Sequence, residues 1–159
     1  MKLAEIDIRI LNELQKNADQ TNLALADKVG LSAPACLKRV QKLKSSGAIE
    51  KIVAIVSPTI TGRRLNMVVE IEMKIDSQSQ YQRFVKAIMN APEVKQCYQV
   101  TGEVDFVLVV NVADIFEYDT FCNDVLHTHD NMKKFTTLIS IKCNKFDLSH
   151  HDLVSGTIN

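Results

Sequence analysis

The sequence predicts an α+β chain: a small helical N-terminal domain, then a domain in which strands and helices alternate. Three observations predict it. Apolar residues recur at helical spacing three times before residue 48. A capped turn, Val29-Gly30-Leu31-Ser32, separates the second of these helices from the third. After residue 65 the apolar period switches repeatedly between that of a strand and that of a helix.

Helix one is expected over about Ala4 to Lys16, with Ile6, Ile10, Leu11 and Leu14 as its buried stripe. Helix two runs from about Leu23 to Val29 and ends at Gly30, which can take the left-handed conformation that stops a helix sharply. Ser32 is a good N-cap, and Pro34 sits in the first turn of helix three, where its missing N–H costs nothing. Helix three, about Ala33 to Ser46, is stopped by Gly47. At about 100° per residue, Ala33, Cys36, Leu37, Val40 and Leu43 cluster on one side. The opposite side carries Pro34, Ala35, Lys38, Lys42 and Ser45, flanked by Arg39 and Gln41. Ile49 to Val56 is short, apolar and β-branched and reads as a strand or wing, followed by the breakers Ser57-Pro58-Thr59 and Gly62-Arg63-Arg64.

In the second half Met67, Val69, Ile71, Met73 and Ile75 alternate with Val68, Glu70, Glu72 and Lys74 as a half-buried strand. Tyr81, Phe84, Val85, Ile88 and Met89 follow at helical spacing. Val94 to Thr101 is a second strand, Gly102-Glu103-Val104 a tight turn, and Phe106 to Val112 a third strand, apolar on both faces. Ile115, Tyr118, Phe121, Cys122 and Val125 mark another helix, and Phe135 to Cys143 a fourth strand. This βαββαβ order is the ferredoxin-like arrangement. The expected divisions are 1–48 helix-turn-helix domain, 49–64 wing strand and linker, 65–146 ferredoxin-like domain and 147–159 C-terminal tail.

A capped helix pair with a basic outer face is what a DNA reader needs, because the start of its second helix must reach base edges in the major groove. Between Lys28 and Lys51 there are six basic residues and one acidic residue. The whole chain is neutral, yet residues 1–60 hold nine basic and six acidic residues and residues 61–159 hold ten and thirteen. Such a local basic face suits a DNA-contacting module joined to something else. A merely solvated lysine face is the bland alternative; the coincidence of caps, turn and charge favours double-stranded DNA as partner. The candidate contacts are Asn22, Ser32, Pro34, Ala35, Lys38, Arg39 and Lys42.

Two helices cover only one face of a four-stranded sheet. The doubly apolar third strand asks for cover on the other, and a second copy packed as a two-fold dimer supplies it; cover by the N-terminal domain is the alternative.

No stretch approaches the roughly 20 apolar residues of a membrane span. The acid-bearing start, Met1 to Asp7, reads as amphipathic helix rather than signal peptide. Cys36, Cys97, Cys122 and Cys143 lie far apart with no C-x-x-C, which suits free thiols in the cytoplasm. Cys36 and Cys122 fall near apolar helix faces. His127-Thr128-His129-Asp130 falls at a helix end and His150-His151 in the tail, so neither reads as a metal site, which would need three or four convergent ligands. No catalytic constellation stands out, so neither an enzyme nor a cofactor is expected.

The chain resembles the Lrp/AsnC, or feast/famine, family of transcription regulators over nearly its whole length. The resemblance rests on Leu25-Ala26-x-x-Val29-Gly30-Leu31-Ser32, then Cys36-x-x-Arg39-Val40-x-x-Leu43-x-x-x-Gly47-x-Ile49, then Pro58 and Gly62, the loop Gly102-Glu103-Val104-Asp105, and Thr137 before Leu138-Ile139. It implies a winged helix-turn-helix reader joined by a strand-bearing linker to an effector domain. It also implies dimers that often form octameric rings, and amino acids bound at contacts between dimers. Carried over, the effector residues are Thr101, Gly102, Glu103, Val104 and Asp105, with Thr136, Thr137 and Leu138. Gly102 would let backbone approach a ligand, loop N–H groups would hold a carboxylate, and Asp105 an α-ammonium group. Three positions depart from the family pattern. An acidic turn, Ala18-Asp19-Gln20-Thr21, stands where a basic residue is common, and Ile52 and Val104 replace frequent aromatic residues. An effector-independent, DNA-organising protein is the alternative reading.

Overall fold

A computed structural model describes residues 3–150 of the chain. They form two compact units, 3–55 with 145–150, and 56–144. The division falls inside the expected linker.

The first unit is built on α1 (Glu5–Lys16), α2 (Asn22–Val29) and α3 (Ala33–Ser45). Asp7 holds the start of α1, one carboxylate oxygen accepting the Ala4 N–H at 3.2 Å. Thr21 caps α2 by accepting the Ala24 N–H at 3.1 Å. Gly30 is left-handed at φ 74°, and the Leu31 N–H donates back to the Ala26 carbonyl at 2.9 Å. This is the double-bonded helix end that only a residue tolerant of positive φ makes cheaply. Ile10, Leu11, Leu25, Ala26, Val29, Cys36 and Leu43 form the core, with Ile6, Leu14, Val40 and Ile49 packed around it.

Two expectations need correction here. Leu37 is not part of this core; it is 47% exposed. Three short helices enclose a narrow arc, and α3 buries only the residues at its centre. Nor is Ile49 to Val56 a strand: residues 50–57 carry no secondary structure, and Ile52, Val53, Ile55 and Val56 are exposed. A strand needs a neighbouring edge to satisfy its ladder, and the described chain offers this segment none.

In the second unit a single helical turn, α4 (Pro58–Thr61), occupies the expected breaker. Then follow β1 (Leu65–Met73), α5 (Gln78–Ile88), β2 (Val94–Gln99), β3 (Phe106–Val112), α6 (Ile115–Phe121) and β4 (Met132–Ile139). α6 continues into a π-helical turn over Cys122–Leu126, closed by the His127 N–H donating to the Cys122 carbonyl at 2.8 Å. The four-stranded sheet is antiparallel in the order β2-β3-β1-β4, as the βαββαβ reading requires. β1 starts and ends two residues earlier than Met67 to Ile75. β4 runs from Met132 to Ile139 rather than from Phe135 to Cys143. The pair Lys133-Lys134 hid its start, and residues 142–148 carry no secondary structure.

Register sorts the side chains. Met67, Val69, Ile71 and Met73 with Phe106, Leu108, Val110 and Val112 lie buried under Tyr81, Phe84 and Ile88 of α5 and Tyr118 and Phe121 of α6. The opposite face is open. Two cross-strand rows lie on it, Gln96-Val109-Val68-Leu138 and Tyr98-Val107-Glu70-Thr136, all half-buried or exposed. Among the described residues no helix is long and apolar enough to cross a membrane.

Candidate DNA interface and effector site

α3 presents Pro34, Ala35, Leu37, Lys38, Gln41, Lys42 and Ser45 to solvent. Lys38 and Lys42 form no ion pair among the described residues, so both charges remain available to phosphates. Ser32 has the extended N-cap backbone, but its hydroxyl makes no cap bond.

Two of the predicted contacts also tie the helices together. The Arg39 guanidinium donates to the second Asp7 oxygen at 2.7 Å. One carboxylate thus ties the start of α1 to the middle of α3. The Asn22 amide donates to the Ala33 carbonyl at 2.7 Å, locking the start of α2 to the start of α3. Both residues set the angle of the helix pair, and the Arg39 guanidinium, 40% exposed, keeps further N–H donors beyond the one given to Asp7. Sequence spacing shows faces, not partners 32 residues away, so these ties were not readable. Leu37 is the residue the reading missed; its exposure places an apolar group at the edge of the basic face.

In the sheet unit, Thr101, Gly102 and Glu103 are exposed and Val104 is half-buried in the loop between β2 and β3. Gly102 stands at φ 122°, a backbone that side chains other than hydrogen strain to reach. The backbone N–H groups of Thr101 to Val104 make no hydrogen bond among the described residues. Asp105 closes the loop. Its carbonyl accepts the Val100 N–H at 2.9 Å, and its N–H donates to the Ile71 carbonyl at 2.8 Å. One carboxylate oxygen accepts the Met73 N–H at 2.7 Å, and the other accepts the Tyr81 hydroxyl. Asp105 is therefore a fastener within the domain, with both oxygens engaged. The bond to Asp105, then burial, then the charges of Asp105 and Asp76 hold the Tyr81 phenol protonated, well above its usual range.

The three β4 candidates divide between faces. Thr136 and Leu138 are exposed on the open face, paired with Glu70 and Val68. Thr137 points to the helical face, its hydroxyl 2.5 Å from that of Tyr118 on α6. Burial pushes the Tyr118 phenol up as well. His127 and His129 stack edge-on against Phe135 at 5.4 Å and Phe84 at 5.2 Å. Cys36 and Cys122 are buried, and burial raises both thiols.

Residues 66–147 match the profile of the Lrp/AsnC ligand binding domain. The chain belongs to the Lrp/AsnC family of transcription regulators. Residues 3–50 match a winged helix-turn-helix DNA-binding domain. The leucine-responsive regulatory protein of Haemophilus influenzae is 39% identical over 73% of this chain and 70% of its own length. The glutamate uptake regulatory protein of Zymomonas mobilis is 36% identical over 74% of this chain and 72% of its own. The structure of a Neisseria meningitidis transcriptional regulator in complex with L-methionine superposes with a TM-score of 0.83 at 28% identity, covering 93% of this chain and 96% of the other. This Lrp/AsnC chain is thus a DNA-binding transcription regulator with a ligand-binding domain, and not an enzyme.

Proposed function

We propose that this regulator reads specific DNA sites as a dimer or a ring of dimers in the cytoplasm, and that an amino acid bound at the β2–β3 loop tunes that reading. The observation that carries the proposal is the loop itself: exposed backbone N–H donors from Thr101 to Val104, without internal partners, fastened at Asp105. Such donors suit a carboxylate. Thr136 and Leu138 on the open face, with Thr137 behind them, complete the candidate set. Because Asp105 already accepts two bonds, Glu103 is the better acceptor for the α-ammonium group. The complex of the Neisseria relative with L-methionine supports the ligand class.

The dimer rests on the open sheet face, where Val68, Val107, Val109 and Leu138 lack cover from α5 and α6. The exposed, β-branched segment Ile52 to Val56 is a second apolar surface that pairing with another copy would bury. DNA contacts fall to Lys38 and Lys42, with Ser32, Pro34 and Ala35 at the start of α3.

A thermal-shift scan against the twenty amino acids at millimolar concentration tests the ligand. One of them at about 100 times its dissociation constant stabilises the fold by about 2.7 kcal/mol. No stabilisation by any of them overturns the amino-acid reading.

A further inference from the structure

We propose that Tyr81 is the positioning residue of the effector loop: its hydroxyl, donated from α5 to the Asp105 carboxylate, holds the loop in the shape that a ligand meets. The inference rests on the loop's being the ligand site, as proposed above. Thr101 to Val104 make no hydrogen bonds of their own, so the loop takes its shape from its ends. At the exit, the peptide groups of Asp105 are tied to Val100 and Ile71 and one carboxylate oxygen to Met73, all within the sheet and its connecting loop. The Tyr81 bond alone comes from the helical layer.

The phenol is itself fixed from behind. Tyr81 is 7% exposed, and its ring meets Phe106 edge-on at 5.1 Å. Phe106 follows Asp105 directly, so one tyrosine grips two consecutive residues where the loop enters β3. Asp76, two residues before α5, also faces the hydroxyl. A shift of α5 therefore reaches the loop through a half-buried, hydrogen-bonded contact, and the loop's order feeds back on α5. Preorganised donors bind a carboxylate more tightly than mobile ones.

The experiment compares amide hydrogen exchange in the full chain and in Tyr81→Phe, which keeps the ring and removes the hydroxyl. Exchange at Met73, Val100 and Asp105, the amides tied through Asp105, is expected to rise about tenfold while Val69 and Leu108 stay protected. An unchanged loop, or a uniform rise across the sheet, overturns the positioning role. In a second arm both proteins are titrated with the amino acid that stabilises the wild type; the midpoint is expected to move up about tenfold in the variant. An unmoved midpoint beside a loosened loop also overturns the proposal. If no amino acid stabilises the wild type, the amino-acid reading fails by itself, and the exchange arm still decides whether Tyr81 holds the loop. Should Tyr81→Phe not fold, Tyr81→Met, which keeps an apolar side chain there and carries no hydroxyl donor, gives the same exchange readout.

Discussion

Lys42 and Arg39 lie three residues apart on α3, and the structure gives their charges different uses. Lys42 is exposed and unpaired among the described residues, whereas Arg39 is bonded to Asp7 at 2.7 Å. Lys42→Ala should weaken DNA binding and lower the salt slope by about one while leaving the melting temperature alone. Arg39→Ala should instead cost about 1 kcal/mol, a fall of a few degrees, because the pair is only partly exposed and Asp7 loses a partner. Salt titrations and melting curves of the two variants check this; the opposite pattern would exchange their roles. At this scale the sequence was informative about faces and poor about partners. The helical projection put Lys38 and Lys42 outside, where they are. It also put Leu37 inside, since an amphipathic pattern does not reveal how wide a groove the other two helices make. Asp105 was legible as important from its loop motif, yet its bonds to Met73 and Tyr81 depend on tertiary packing.

Among the elements, those whose partners lie within their own domain were the most legible. The alternation in Met67 to Met73 and the doubly apolar Phe106 to Val112 are strands because the sheet is complete in one chain. Ile49 to Val56 has the same composition and no edge to pair with, so it stays irregular. β4 was read late because its first turn of pairing is carried by Met132, Lys133 and Lys134, where Lys133 bonds Glu72 across the strands. The π-turn at Cys122–Leu126 has no signature in the spacing at all. The connection after it carries a pH dependence. Burial, then the charge of Arg83, hold the His129 imidazole below its ordinary range, and Asp130 opposes them only in part. The unfolded chain therefore takes up a proton near pH 6.5 that the folded chain resists. Stability is full above that pH and falls as the pH drops through the lowered value. The urea midpoint should fall between pH 7.5 and 5.5, and by less in His129→Phe, which keeps a ring against Phe84. Equal falls in both proteins would place the acid sensitivity in other groups.

For the whole molecule, the open sheet face is the surface to test. Val109 lies at its centre, half-buried and away from the helices. If a second copy covers that face, Val109→Asp should leave a folded monomer of 17.9 kDa, while the wild type sediments as a dimer or a multiple of dimers. A wild-type mass that the substitution does not change would put the contact elsewhere. Both domains and their order were legible because each has its own core and its own period. The sheet face in need of cover was legible, but not what covers it. The proposed function couples an amino acid to DNA through contacts between copies of the chain. The most direct test is the affinity of the full chain for a selected DNA site at fixed salt, measured with each of the twenty amino acids in turn. One amino acid should shift that affinity by about 5- to 150-fold, in the range of ordinary allosteric coupling, and the DNA should shift its binding by the same factor. An affinity unchanged by all twenty would contradict the account and leave a regulator of DNA that does not sense amino acids.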